Sequence, residues 1–155
     1  MPKTKNNAGP TISNRRALHD YFITAKLECG MSLMGSEVKS LRAAHCQLNE
    51  SFCRVEGGRL ILHGCHIDPY TQAGKYNHDP LRDRVLLAHK REIRKLEAET
   101  SVRGVTLIPL AIYFKEGIAK IEIGVARGKQ QHDKRATIRE REQKRDLQRV
   151  MMRKG

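Results

Sequence analysis

The 155-residue chain has no tryptophan, and aromatic residues make up only 5% of it. A core must therefore be built from aliphatic side chains, and stacking of nucleic-acid bases on a sheet of aromatic rings is not favoured. Acidic residues are also scarce, since 17 Asp and Glu stand against 30 Lys and Arg, for a formal net charge of +13. This excess of one sign predicts a polyanionic partner, most often nucleic acid. An inert basic surface is the simpler alternative.

Long apolar segments are absent as well. No window approaches the roughly 18 apolar residues of a membrane-spanning helix, so no membrane partner is expected. The polar N-terminus, MPKTKNNAGPTIS, lacks the apolar centre of a signal peptide. The four cysteines have no paired-motif spacing, so we expect reduced thiols in a cytoplasmic protein. They are Cys29, Cys46, Cys53 and Cys65.

Motifs for metal binding and catalysis are weak. The segment HGCH at 63–66, with His and Cys at 45–46, offers soft ligands, but no second pair repeats the short spacing of a structural zinc site. His132 and Lys134 could act as an acid–base pair and a phosphate clamp in hydrolysis. They lie, however, in a segment without a core to hold them in place. We therefore predict no metal, no cofactor, no catalytic residue and no enzymatic activity.

Short strands dominate the pattern. Residues 1–13 are typical of a flexible arm. Alternating polarity predicts strands from His19 to Gly35, and Gly57-Gly58 predicts a hairpin turn between two β-prone runs. The strongest β signal covers 105–126, where two strands meet at Glu116-Gly117 and Lys120 faces outward.

Two regions favour helices. Ser36 is a candidate N-cap for a helix over 37–48, and residues 81–104 predict one helix or two. Several short strands with few helices indicate a small closed or half-closed β-barrel with peripheral helices.

The segment 127–155 differs from the rest of the chain. It carries eleven Lys and Arg and four Asp and Glu, and it has no aromatic residue. Its apolar residues do not form one helical stripe, since Ile138 and Leu147 fall on opposite sides of a helix. Its Arg, Gln, Glu and Lys residues are nevertheless good helix formers. We predict a basic tail that is disordered alone and becomes helical on a charged template.

Five motifs together resemble the SsrA-binding protein (SmpB) family, the partner of tmRNA, over the chain from Asn14 to the C-terminus. They are NRRALHDYFI, GMSLMGSEVKSLRA, NHDPLRDRVLLAHKREI, VARGKQQHDKR and the terminal VMM. The resemblance implies an OB-like closed β-barrel with flanking helices over 14–126. It also implies a monomeric, non-enzymatic adaptor that binds the tRNA-like domain of tmRNA and delivers it to stalled ribosomes for tagging of the nascent peptide.

The resemblance also implies site residues. The RNA-contacting positions fall on Asn14, Arg15, Arg16, Glu28, Leu87 and Lys120. The tail would become helical in the empty mRNA channel near the decoding site of the small ribosomal subunit. Its ribosome-binding positions are Gly128 as a hinge, His132, Asp133, Lys134, Arg135, Val150 and Met151.

Plainer alternatives accompany these roles. Glu28 could simply form a surface salt bridge, Leu87 could be a core residue, and Lys120 could be solvated. A structural ribosomal protein with a permanently embedded basic tail is the rival interpretation of the whole chain.

Overall fold

The computed structural model describes residues 9–129 and 131–153, with side chains described at 9–129 and 138–151. Within these residues the strands β1 to β9 are Ile12–Ser13, Tyr21–Met31, Cys46–Gln47, Phe52–Glu56, Arg59–His63, His66–Ile67, Arg84–Leu87, Val105–Lys115 and Ile118–Gly128. The helices α1 to α4 are Ala17–Asp20, Gly35–Arg42, Lys90–Thr100 and Gln131–Arg153, and a 3-10 segment covers Thr71–Tyr76.

The main sheet closes on itself. Its pairing runs from β8 through β4, β5, β7, β2 and β9, and β9 pairs back with β8, so hydrogen bonds follow a ring of six strands. β1 joins the edge of β8 that also contacts β4, while β3 and β6 form a separate two-stranded sheet. The prediction of a mainly β fold with flanking helices is confirmed. The narrower description as an OB-like barrel stays a prediction.

A mainly aliphatic core that includes Phe114 fills the ring. On β9, Ala119, Ile121, Ile123 and Val125 alternate with the predicted outward Lys120, and all four are buried. Helix α3 covers the core with Ile93 and Leu96, the two residues of its apolar stripe. The hairpin turns at Gly57-Gly58 and Glu116-Gly117 are also where the sequence predicts them.

The helix predicted over 81–104 is wrong in its first half. Arg84–Leu87 is strand β7, which pairs with β5 on one side and with β2 on the other. Burial alternates along it, since Arg84 and Leu86 are buried and Leu87 is exposed. These pairings join distant parts of the chain, and they override the local helical pattern.

The start of α2 also differs from its prediction. Strand β2 ends at Met31, short of Gly35, and the helix begins at Gly35 with Met34 rather than Ser36 in the N-cap position. The Met34 N–H donates to Glu37 Oε1 at 2.8 Å. The Ser36 hydroxyl is not used for capping because it hydrogen bonds with His78 Nδ1 at 2.8 Å.

The predicted domain boundary at 13/14 directly follows β1, and the one at 126/127 lies within β9. Ile12 and Ser13, in the predicted arm, pair with β8, and residues 1–8 lie outside the described residues. At the other end β9 continues to Gly128, which pairs with Tyr21. Among the described residues, no helix is long and apolar enough to cross a membrane.

Candidate nucleic-acid interface

Three neighbouring strands bring the predicted residues Glu28, Leu87 and Lys120 together. Gly30 of β2 lies opposite Leu87 of β7 on one side and opposite Lys120 of β9 on the other. Glu28 is two residues before Gly30 and therefore shares its face of the sheet. The three side chains line one shallow hollow of about 370 Å³, which we call the Glu28 hollow. Its other lining residues are Gly30, Ala88, His89 and Glu92.

Gly30 lets the neighbouring strand approach closely. A Cβ atom at position 30 would lie 3.2 Å from Leu87 Cβ, which is closer than ordinary contact. The side chain of Leu87 therefore lies over the space that a larger residue would occupy. Leu87 itself is 57% exposed, so the alternative that it belongs to the core is wrong.

Glu28 is held as a carboxylate by two donors from β8. It accepts hydrogen bonds from the Tyr113 hydroxyl and from Lys115 Nζ, the latter at 3.3 Å. The Tyr113 hydrogen bond lowers the pKa of Glu28 most, burial opposes it, and Lys115 and the charge of Lys120 lower the pKa further. Burial and the bond to Glu28 raise the pKa of Tyr113. Glu28 is thus an oriented, ionised acceptor at the surface.

Tyr113 and Lys115 are site residues that sequence reasoning missed. The signal that could have indicated Tyr113 was the alternation of inward and outward side chains along β8. Tyr113 lies opposite Lys120 of β9, which the sequence predicts to face outward. The salt-bridge alternative for Glu28 is present in the structure as the Lys115 pair. It leaves the carboxylate partly exposed, with 38% of the side chain accessible.

The two arginines before β2 lie on the surface, whereas Asn14 is buried. The Asn14 Nδ2 group donates to the Pro109 carbonyl at 2.9 Å, and its backbone N–H donates to Leu110 at 2.8 Å. Asn14 therefore anchors the chain from which Arg15 and Arg16 project. Its own contact with RNA stays a prediction.

The arginines extend the basic surface beyond the Glu28 hollow. Arg15 borders a second hollow of about 470 Å³, which we call the Arg15 hollow, together with Lys26 of β2. Lys26 is two residues before Glu28 and lies on the same face of the strand. The Arg16 side chain forms an exposed ion pair with Glu50, at 3.5 Å. The polar face of β2 is therefore continuous with the surface of α1.

The tail begins as a paired strand and continues as a helix. Gly128, the predicted hinge, is the last residue of β9. Lys129 follows, with its backbone N–H donating to Asp20 at 2.9 Å and its Nζ donating to the Leu18 carbonyl at 3.0 Å. These bonds tie the start of the tail to α1.

Within α4 the described side chains are exposed. Val150 and Met151 are 53% and 75% exposed, and Arg141 borders the Arg15 hollow. The side chains of His132, Asp133, Lys134 and Arg135 lie outside the described residues. The ribosome-binding roles of all these positions stay predictions.

A buried ion pair supports the strand that carries Leu87. Arg84 of β7 and Glu37 of α2 are both inaccessible to solvent and are joined through Arg84 Nε and Glu37 Oε2. Arg84 also donates to the Cys65 carbonyl, and Arg82 adds a second cation at Glu37. Sequence reasoning missed this network because both residues lie in motifs with a helical pattern. No metal-binding group of three or more His, Cys, Asp or Glu side chains exists in the described part of the chain.

The fold and this surface define a small, basic, mainly β protein with a polar sheet face of the kind that RNA-binding proteins use. The SmpB protein family model matches residues 11–153. The chain is 47% identical over 150 residues to an SsrA-binding protein of Geobacillus kaustophilus, and the match spans 97% of this chain and 96% of that one. An SsrA-binding protein of Staphylococcus carnosus is 46% identical over 149 residues, with 96% of each chain covered. The chain belongs to the SmpB family.

A solved structure agrees with this assignment. It is described as "tmRNA-SmpB: a journey to the center of the bacterial ribosome", and its matching chain is 45% identical to this one with a TM-score of 0.68. The match covers 84% of this chain and 96% of the other. The sequence-based assignment to this family is confirmed.

Proposed function

We propose that the protein is an RNA-binding adaptor that binds the tRNA-like domain of tmRNA and delivers it to stalled ribosomes for trans-translation. The observation that carries this proposal is family membership over residues 11–153, joined by a structural neighbour described as tmRNA-SmpB on the bacterial ribosome. The relatives are named for binding SsrA, which is tmRNA. The family consists of RNA-binding proteins, so the chain is not an enzyme.

The Glu28 hollow is the proposed tmRNA site. A carboxylate gains nothing from phosphate, so Glu28 would accept hydrogen bonds from a base edge or a ribose hydroxyl. Leu87 would pack on an unstacked base, and Lys120 would neutralise a nearby phosphate. Arg15 and Arg16, anchored by Asn14, would extend the phosphate contacts along the RNA.

The tail is the proposed ribosome sensor. We assign 127–155 to the vacant mRNA channel and the decoding site, where RNA phosphates supply the charged template that its composition requires. The exposed described side chains of α4 support this assignment, since they leave the helix without a protein core of its own. His132, Asp133, Lys134 and Arg135, with Val150 and Met151, would make the contacts. Because RNA and ribosomes are its proposed partners, we assign the protein to the cytoplasm, where it would act as a monomer.

The two surfaces can be separated by shortening the chain after Lys129. This end point keeps all of β9 and the hydrogen bonds from Lys129 to α1. A cut after Arg127 would remove Gly128, the last residue of β9, and Lys129 with its bonds. The shortened protein should bind tmRNA as tightly as the full chain in a gel-shift assay. It should fail to support peptide tagging on ribosomes stalled at the end of a truncated message.

A full-length variant with Asp133, Lys134 and Arg135 changed to Ala is the matched control, and it should show the same pattern. Loss of tmRNA binding in either protein would contradict the division of labour. Sedimentation of the intact protein with all ribosomes in stoichiometric amounts, rather than with stalled ones, would favour a structural ribosomal protein instead.

A further inference from the structure

Two of the four thiols lie against each other. Cys46 Sγ and Cys65 Sγ are 3.6 Å apart. Cys46 is the first residue of β3, and Cys65 directly precedes β6, the strand that pairs with β3, so this pairing brings the two thiols together. A disulfide needs about 2.05 Å between the sulfurs, so a small side-chain movement would suffice to join them.

The two sulfurs differ in access and in ionisation. Cys46 is partly exposed, whereas Cys65 is completely buried. The hydrogen bond from Cys46 lowers the pKa of Cys65, and the neighbouring Arg84 lowers it as well, against the effects of burial and of Glu37. The same hydrogen bond, together with burial, raises the pKa of Cys46. The proton that the two sulfurs share therefore lies on Cys46, and Cys65 is the sulfur that ionises more readily.

The remaining cysteines are inert by comparison. Cys29 and Cys53 are 1% and 4% exposed. Burial raises the pKa of Cys29 to about 12 and raises the pKa of Cys53 as well. Oxidation is therefore directed to the one pair that has both contact and access.

We propose that Cys46 and Cys65 form a redox-sensitive modification site that is converted to an internal disulfide by a peroxide. As the Cys46 sulfur attacks one oxygen of the peroxide, its proton passes to the Cys65 sulfur, the O–O bond breaks, and the leaving hydroxide is protonated to water. Cys46 is then a sulfenic acid. The Cys65 sulfur attacks Cys46 Sγ, the S–S bond forms and the S–O bond breaks, and the departing hydroxide takes the Cys65 proton. Two thiols and one hydrogen peroxide thus give one disulfide and two waters.

The cross-link would close the segment 46–65, which contains the whole β4–β5 hairpin. Closing this loop restricts the unfolded chain, so the oxidised protein should unfold at a higher temperature than the reduced one, by roughly 5 °C. The fold need not rearrange because β3 and β6 are already paired.

The test treats the reduced full-length protein with hydrogen peroxide, unfolds it in denaturant, blocks the remaining thiols with iodoacetamide and maps the peptides by mass spectrometry. The expected result is a monomer with a Cys46–Cys65 linkage, two blocked thiols at Cys29 and Cys53, and a raised unfolding temperature that returns to its starting value with dithiothreitol. Cys46→Ser, at a partly exposed position, should fold normally and form no linkage. Cys53→Ser should still form it.

Three results would overturn the proposal: a linkage that includes Cys53, an intermolecular disulfide, or overoxidation of Cys46 without any linkage. An unchanged or lower unfolding temperature of the linked protein would contradict the predicted constraint. Cys65→Ala provides a second variant without the pair should Cys46→Ser prove unstable, and it should also form no linkage.

Discussion

At the scale of single residues, Glu28 is a carboxylate on a basic protein that its hydrogen-bond donors keep ionised, and its contact with RNA is a prediction. Glu28→Ala should weaken tmRNA binding about tenfold, which corresponds to the loss of one charged hydrogen bond of about 1.4 kcal/mol. Thermal unfolding should be unchanged because exposed ion pairs contribute little to stability. The lowered pKa means that the carboxylate is protonated only below its ordinary range, so affinity should not fall between about pH 8 and pH 5 through this group.

Glu97→Ala is the control for this variant, because Glu97 is exposed on α3 and outside the hollow. Its tmRNA affinity should equal that of the wild type. If Glu28→Ala instead lowers the unfolding temperature and leaves the affinity intact, Glu28 is a structural surface residue and the proposed contact is wrong.

Gly30 provides a separate test of the hollow in which no proposed contact residue is substituted. Gly30→Ala puts a methyl group 3.2 Å from Leu87 Cβ, so Leu87 must shift. We expect tmRNA affinity to fall about fivefold, or ~1 kcal/mol, in the same gel-shift assay. Gly35→Ala is the matched control, since no described heavy atom outside its chain neighbours and its own helix backbone lies within 4 Å of the added methyl group. Equal affinity of the two variants would argue against a role for Leu87 packing.

The sequence predicts these residues unevenly. Glu28, Leu87 and Lys120 follow from motif resemblance, and the structure places them in one hollow. Tyr113 was missed because its role depends on register between β8 and the strands beside it, which one sequence does not specify. Asn14 was predicted from its motif as an RNA contact. The motif does not indicate that its side-chain amide donates hydrogen bonds to backbone carbonyls.

At the scale of elements, local signals predict well and long-range ones do not. The hairpins at Gly57-Gly58 and Glu116-Gly117 carry their turn residues between adjacent strands, so neighbouring sequence suffices to predict them. Strand β7 is only four residues long, and its partners β2 and β5 lie elsewhere in the chain. Burial of its Arg84 is equally hard to predict, because arginine is rarely buried without a partner and the partner Glu37 is distant in sequence.

The Glu37–Arg84 pair should hold α2 against β7. Glu37→Gln leaves the buried Arg84 guanidinium without its counter-charge, and we expect the free energy of unfolding to fall by about 3–5 kcal/mol at pH 7. Denaturant unfolding followed by circular dichroism measures this loss. The double variant Glu37→Leu with Arg84→Met should recover part of the stability, since it removes both charges together. A double variant no more stable than Glu37→Gln would contradict an electrostatic origin.

The same pair predicts a pH dependence of stability. Burial raises the pKa of Glu37, but Arg82, the Met34 N–H and Arg84 together hold it below its ordinary value. A group whose pKa is lower in the folded state stabilises the fold fully above its unfolded pKa, near 4.3, and this contribution is lost as the pH falls through the folded value. The stability difference between wild type and Glu37→Gln should therefore be constant from pH 8 to about pH 5 and shrink below pH 4. If this stability difference instead grows as the pH falls, the pKa of Glu37 is raised by folding and not lowered.

At the scale of the whole molecule, positive charge is divided between a sheet domain and a helix whose described side chains, at 138–151, are exposed. The segment 130–155 alone carries nine Lys and Arg against four Asp and Glu. Binding to phosphates releases counterions, so the logarithm of affinity falls with the logarithm of salt concentration in proportion to the number of phosphates neutralised. The two partners should therefore show different salt dependences when the tail is altered.

Shortening the chain after Lys129 should leave the salt slope of tmRNA binding unchanged and reduce that of ribosome association, by about 0.7 to 0.9 for each phosphate that the tail no longer neutralises. Filter binding over 50 to about 300 mM KCl measures both slopes. A full-length variant with Lys144, Arg145 and Arg149 changed to Gln keeps the length of α4 while removing charge, and its ribosome slope should fall by about two to three. If the tmRNA slope falls by the same amount in these proteins, the tail binds tmRNA directly. The positive charge of the tail would then contribute to tmRNA binding together with the sheet surface, and not to a separate ribosomal site.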